Sequence, residues 1–457
     1  MNRPTRKGLN RPISRREFLR LSGTALGAAL LASCGGGAAP TAAPEAGGPP
    51  AFKGTLDIWD WEFPVREELV KKYIESWNQE NSDIKINYLV YPWADMETKI
   101  LAASSAKNGP PISDVMYFWR YDLQRGGAIE PYPDDFVDWN DRVSTPFMKD
   151  ENGKIRGFPS GWFVDMIYYN NEIFEQEGLK GSDIPTKWDD FIKLAQQLTV
   201  KDSNGKISRA GCAMNDYWQH EYLWQGLIYQ QSGWMYNEDG TKALWEEEPS
   251  MVALQFIQDW YNKHGIDSLE LPAGYGGFCN DMAAMFMGSG WNTGFFLPEF
   301  PQMEGRFDTA VLPTFTGKPE PSYGLASPEE NWQAFSNYPD DQKAAAFAFI
   351  QHMMASDERS VEWALAQECS PDSKKVLSDE RITSIPTIRS QAETMKYRVC
   401  FGERPIEAEK LWRTMFDQVI LEQRAVKDAL HDATVEMDKV LPTKKRYFTE
   451  RNYTPGA

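Results

Sequence analysis

Between Thr55 and Tyr88 the apolar residues change period twice, and this limits the folds open to the chain more than any other feature. Residues 55–59 and 84–88 alternate apolar and polar side chains, as half-buried strands do. Between them Leu69, Tyr73 and Trp77 stand four apart, which predicts a helix over 65–80 with one buried face. The pattern then repeats in looser form. Residues 114–118 read as a further apolar strand, and Thr186 with Asp189 three positions on reads as the N-cap of a helix. Its stripe is Trp188, Phe191, Ile192, Ala195 and Leu198. Further helices are predicted over 251–261 and 344–354, and a last one on Val426, Ala429, Leu430, Ala433, Met437 and Val440. Strands interleaved with helices predict the α/β class, with layered and largely parallel sheets. Glu238-Asp239-Gly240 and Ser203-Asn204-Gly205 mark turns.

The first fifty residues are of another kind. Residues 1–20 are basic, ending in Ser14-Arg15-Arg16-Glu17-Phe18-Leu19-Arg20, and thirteen small or apolar residues follow. That run is too short to span about 30 Å of hydrocarbon as a helix. The paired arginines resemble a twin-arginine export signal. Leu31-Ala32-Ser33-Cys34 is similar to a bacterial lipobox, which makes Cys34 the expected site of lipidation. Residues 34–51, rich in Gly, Ala and Pro, read as a flexible tether. The expectation is a body held by acyl chains at the outer face of the cytoplasmic membrane.

Charge and motifs narrow the chemistry. The chain carries 48 basic and 66 acidic residues, a formal net charge of -18, and the leader holds seven of the basic residues and one of the acids, so the body is more acidic still. So acidic a body repels phosphate backbones, which excludes sequence-independent nucleic-acid binding. The four histidines (His220, His264, His352 and His431) are far apart, which argues against a metal site, and no cofactor motif is present. His220-Glu221 begins like a zinc-protease motif, but Trp224 stands where its second histidine belongs. In the 288–294 stretch Thr293 takes the place of the third glycine of a dinucleotide loop. There is no nucleophile elbow and no P-loop. Cys212, Cys279, Cys369 and Cys400 contain no C-x-x-C pair, so bridges and buried thiols are both open.

What the chain does have is 17 Trp, 19 Tyr and 24 Phe. Many fall beside polar residues: Trp59-Asp60-Trp61-Glu62, Phe118-Trp119-Arg120-Tyr121-Asp122, Gly161-Trp162-Phe163-Val164-Asp165, Tyr217-Trp218-Gln219-His220-Glu221 and Gly290-Trp291-Asn292. A sugar ring offers a C–H face to an aromatic ring and a rim of hydroxyls to carboxylates, amides and arginine. Trp188, Trp260 and Trp363, on helical stripes, are assigned to the core.

In order along the chain stand Leu56-Asp57-Ile58-Trp59, Ser113-Asp114-Val115-Met116-Tyr117-Phe118-Trp119 and Gly126-Gly127-Ala128-Ile129-Glu130-Pro131. Gly153-Lys154-Ile155-Arg156-Gly157-Phe158-Pro159, Tyr168-Tyr169-Asn170-Asn171-Glu172-Ile173-Phe174 and Pro185-Thr186-Lys187-Trp188-Asp189 follow. Last come Ala283-Ala284-Met285, Gly290-Trp291 and Ala310-Val311-Leu312-Pro313. This ordered set resembles the extracellular solute-binding proteins of ABC importers, in the carbohydrate-binding group typified by maltose-binding protein. The resemblance implies a two-lobed periplasmic-binding-protein fold with several chain crossings at the hinge, near 160–165, 307–313 and 364–371. One lobe would be 52–161 plus 312–363, the other 162–311 plus 364–457, after a signal peptide at 1–33.

Carried over from the family, the ligand residues are Trp61, Glu62, Trp119 and Asp122 in the first lobe, and Trp218 to Glu221, Trp291 and Trp412 in the second. Trp162, Asp165 and Tyr323 join them by position. The basic residue that follows the first strand in maltose binders has no counterpart among Trp61, Glu62, Phe63 and Pro64, which argues against maltose itself. The implied function is a monomeric, lipid-anchored receptor. It would capture a sugar, an oligosaccharide above all, and pass it to ABC permease subunits in the membrane, with no reaction on this chain. The competing readings are a polyamine or other cationic ligand drawn by the acidic body, and a secreted glycoside-active enzyme.

Overall fold

The computed structural model describes residues 52–150, 152–319, 324–328, 330–397, 399–400 and 404–444. Its strands are β1 (Gly54–Trp61), β2 (Ile84–Tyr91), β3 (Ile112–Met116), β4 (Phe158–Pro159), β5 (Phe163–Asn170) and β6 (Val200–Lys201). β7 (Ile207–Arg209), β8 (Met285–Ser289), β9 (Phe307–Val311), β10 (Leu325–Ser327), β11 (Glu330–Ala334) and β12 (Val399–Cys400) complete them. Two five-stranded sheets carry the architecture. The first runs β2-β1-β3-β11-β4, and the second β12-β10-β5-β8 with β9 also on β5.

In the first sheet β1 pairs in parallel with β2 and β3, while β11 is antiparallel to β3 and β4. The second sheet departs from the parallel expectation. β5 is antiparallel to β8, β9 and β10, and only β10 and β12 run parallel. Helix Pro64–Glu80 opens with proline at its first turn, where a missing N–H costs nothing, and buries Leu69, Val70, Tyr73 and Trp77. The strand expected over 114–118 ends at Met116, and Tyr117 begins helix Tyr117–Arg125. The Thr186 N-cap is also corrected. Residues 186 and 187 are drawn into backbone pairing with Thr314, so the helix starts at Trp188 with Lys187 as its cap. Trp188, Trp260 and Trp363 are buried, and Cys212, Cys279, Cys369 and Cys400 are buried thiols with no disulfide among the described residues.

The chain passes from the first sheet to the second through residues 160–162 and returns between Ser327 and Glu330. The return therefore lies beyond the expected 307–313. β9 and β10 both belong to the second sheet, where they pair with β5 and β8 also pairs with it, while β6 and β7 form a small sheet of their own. Helix Asp357–Gln367 packs on helix Pro64–Glu80 of the first lobe, and just beyond it Glu368 accepts from Thr387 and Gln391 and Ser370 bridges Trp162, so the third passage runs through this stretch. Helix Pro386–Met395 then packs on β9 and β5.

One carboxylate fastens the three passages. Glu330 Oε2 accepts hydrogen bonds from Ser160 Oγ (3.0 Å) and Gln367 Nε2 (2.6 Å). Its other oxygen lies 2.9 Å from the guanidinium of Arg66, which also meets Asp60 (2.6 Å) and Asp114 (3.0 Å). All four charges are buried. Burial pushes each of the three carboxyls up, against the pull of Arg66.

Candidate functional site

The second lobe contributes a wall built by three elements. Asp165 on β5 lies directly opposite Ser289 on β8. After β8, Gly290 makes a tight turn, since a Cβ there would stand 2.6 Å from Gln391 Oε1. Asn292 Oδ1 accepts from the Ser289 N–H (2.8 Å), and Thr293 Oγ1 donates to the Gly290 carbonyl (2.9 Å), so the turn presents Trp291 in one pose. The third element is helix Tyr217–Gln230. Asp216 caps it by accepting from the Trp218 N–H (2.9 Å), which fixes its first turn. A pocket of about 320 Å³ opens between these parts, lined by Asp165, Trp218, Gln219, Tyr222, Ser289, Trp291 and Asn292 among others.

Across from this wall stand the aromatics of the first lobe. Trp61 ends β1. Its indole donates to Asp114 Oδ2 (2.9 Å), and Arg66 lies 4.1 Å over its ring. Trp119 stacks on Trp93 at 4.9 Å, and Trp93 meets Trp61 edge-on at 4.7 Å and Trp218 at 6.3 Å. Phe63 stacks on Phe295 at 4.7 Å. Aromatic rings from both lobes thus form one continuous layer at the cleft.

Of the residues expected from the sequence, Asp165, Trp218 and Trp291 share one pocket wall. Trp61 and Trp119 belong to the aromatic layer, both buried, and Glu62 is exposed beside them. Asp122 pairs with Arg125 at 2.6 Å and lies 3.7 Å from Lys444. Glu221 is fully buried in an ion pair with Arg404, and burial pushes its carboxyl up against that pull. Trp162 and Trp412 stand elsewhere and are corrected to interior packing. The Trp162 indole donates to Asp372 (2.8 Å) and meets Phe147 edge-on, while Trp412 is packed between Trp224 and Trp245. Tyr323 and Cys34 lie outside the described residues.

The reading of the sequence included Gln219 in its 218–221 stretch but missed Trp93, Tyr222, Ser289 and Asn292 as wall residues. Gln219 and Asn292 sit inside aromatic clusters that it had noticed, and Trp93 follows Pro92 at the end of β2. Neighbouring His220 is buried, which holds its imidazole down to about 3, and it bonds Tyr261 Oη at 2.8 Å. Among the described residues no group of three His, Cys, Asp or Glu could hold a metal ion, and no helix is long and apolar enough to cross a membrane.

Known proteins share this architecture. A tagatose-bound ABC transporter solute-binding protein from Thermotoga lettingae superposes with a TM-score of 0.72. It is 18% identical, with 85% of this chain and 99% of that one covered. The maltose/maltodextrin-binding domain of Bdellovibrio bacteriovorus, bound to maltotriose, superposes at 0.71 with 16% identity, over 85% of this chain and 100% of that one. In sequence, the arabinooligosaccharide-binding protein of Bacillus subtilis (strain 168) is 25% identical over 294 residues, 60% of this chain and 64% of that protein. The erythritol/L-threitol-binding protein of Mycolicibacterium smegmatis is 27% identical over 300 residues, 57% and 60% of the two chains. The matches thus span about six-tenths of the length of these relatives. The model of the family described as bacterial extracellular solute-binding protein matches residues 64–359, well over half of the sequence. Two sheets joined by repeated passages, with an aromatic cleft between them, are the body of such a protein, and the chain belongs to the bacterial extracellular solute-binding proteins.

Proposed function

We propose that this protein is the sugar receptor of an ABC importer, binding a neutral oligosaccharide between its lobes and handing it to permease subunits. The observation that carries the reading is the wall on which Trp218 and Trp291 stand among Asp165, Gln219, Ser289 and Asn292. Aromatic faces suit the C–H face of a pyranose or furanose, and the amides, hydroxyl and carboxylate suit its rim. The relatives that bind arabinooligosaccharides and lactose support the same class. Trp61, Glu62, Trp119 and Asp122 are proposed as the first-lobe side of the cleft. Export through the paired arginines and anchoring through Cys34 complete the proposal, and the receptor acts as a monomer without chemistry of its own.

Calorimetric titration against mono-, di- and trisaccharides and polyamines, with chromatography of the ligand afterwards, tests the binding claim. Saturable sugar binding with the ligand recovered intact is expected. Products would make the chain an enzyme, and binding of polyamines alone would replace the sugar reading. For the anchor, Cys34→Ala is expected to leave the detergent phase. If it partitions like the parent, there is no lipid on Cys34.

A further inference from the structure

The turn that presents Trp291 is backed by an interior side chain, Gln391, on helix Pro386–Met395. A Cβ at Gly290 would stand 2.6 Å from Gln391 Oε1, 2.7 Å from Nε2 and 2.8 Å from Cδ, so the flat of the amide lies against the glycine. The φ of Gly290 is outside the left-handed region, and space alone bars a side chain there. In front, the Gly290 N–H donates to the Val164 carbonyl (3.1 Å), and the Gly290 carbonyl accepts from Thr293 Oγ1 (2.9 Å). Behind, Gln391 Nε2 donates to the Glu368 carbonyl (2.5 Å), which fixes the sense of the amide. Glu368 ends helix Asp357–Gln367 in the left-handed conformation, at φ 50°. Its carboxylate accepts from Thr387 Oγ1 (2.8 Å), one helical turn before Gln391. A non-glycine residue keeps that conformation only where its surroundings hold it, and here two side chains of one helix do so.

As a source of stability Gln391 is a poor choice. It is fully buried, and its Oε1 has no hydrogen-bond partner. An amide half satisfied in the interior is worse than an apolar side chain of the same size. Its place accounts for it. The amide joins the third passage, at Glu368, to the back of the Gly290 turn, and Trp291 is the next residue along the chain. We propose that Gln391 is a positioning residue for the sugar platform, setting the pose of Trp291 from behind without touching ligand. For its effect on binding the inference rests on the sugar reading above; for the pose itself it does not.

The pose is read without ligand. In protein labelled with 5-fluorotryptophan, the fluorine resonance of Trp291 is the one lost in Trp291→Phe. Gln391→Ala empties the space behind the glycine and is expected to broaden or split that resonance and leave the other tryptophans as they were. Gly290→Ala drives the turn off the amide and is expected to shift it. In the double variant the new methyl group enters the space the amide has left, and a single sharp line is expected to return. Calorimetric titration with maltose, lactose and α-1,5-arabinobiose reads the consequence. Each single variant is expected to bind the saccharide that the parent binds about 10-fold more weakly, and the double variant to come within about threefold of the parent. Urea unfolding of every variant is followed in parallel, since a merely structural role would lower stability and leave the Trp291 line in place. Gln391→Met keeps the bulk without the tie to Glu368 and stands in should Gln391→Ala fail to fold. An unchanged Trp291 resonance in the Gln391 variant, or single effects that simply add in the double variant, would overturn the proposal. Parental affinity where the line has moved would overturn the link from pose to ligand. Absence of binding of every saccharide by the parent would overturn the sugar reading, and the fluorine spectra would still decide the pose.

Discussion

Trp119 and Trp291 carry the same side chain into different surroundings. Trp119 is 2% exposed and lies against Trp93, so Trp119→Ala removes packed atoms and leaves a cavity. A loss of about 3–5 kcal/mol in urea unfolding is expected. Trp291 is only partly buried and lines the pocket. Trp291→Ala should cost about 1 kcal/mol of stability or less. Saccharide affinity should fall by about 2 kcal/mol, roughly 30-fold in Kd. If Trp291→Ala unfolds early yet binds as the parent does, it is a core residue and the proposed site is misplaced. The same comparison explains what single residues reveal in a sequence. Tryptophan beside a polar neighbour describes a sugar platform, but it also describes a core indole that needs an acceptor. Trp162 with Asp372 is the second kind, and the acceptor lies 210 positions away, where no local pattern could point to it.

Elements show the same limit from the other side. Helices Pro64–Glu80, Glu248–Asn262 and Val426–Val440 were legible because each buries one stripe. β11 was not. Its sequence Glu-Asn-Trp-Gln-Ala neither alternates nor looks apolar, yet all five residues are buried between β3 and β4. Its charge is tolerated because Arg66 arrives from a helix that starts 266 positions earlier in the chain. Helix Tyr217–Gln230 brings a prediction of its own. Asp216 satisfies its first turn and thereby fixes Trp218 and Gln219. Asp216→Ala should cost about 1 kcal/mol in thermal unfolding. It should also weaken saccharide binding, because the first turn is loosened. Parental affinity in a destabilised Asp216→Ala would mean that the turn does not position the ligand.

At the scale of the whole molecule, the lobes also meet through charge. Glu97, on helix Trp93–Ser105 of the first lobe, is pushed up to about 7 from an ordinary 4.5. Burial is the main cause. Glu409 and Asp122 add to it, and Arg404 pulls the other way. The unfolded chain then releases this proton near 4.5 while the folded one holds it to about 7, so stability falls as pH rises through that window and is level above it. Glu97→Gln should remove this slope. With its partial exposure discounted, the difference between pH 4.5 and 8 should be on the order of 1 kcal/mol. Parallel melting curves for the two proteins across that range would refute it. The clasp at Glu330 has a consequence of another kind. Amides on the three passages donate across to one another: Ser160 to Glu330, Trp162 to Ser370, and Ser370 back to Trp162. In heavy water these protons can leave only when the clasp opens, so the three should trade for deuterium at one common rate, slow and shared. Removing the Glu330 carboxylate should speed all three together. A single fast amide among slow neighbours would mean that the passages breathe separately, and a two-lobed receptor whose joints open one at a time could twist as well as bend.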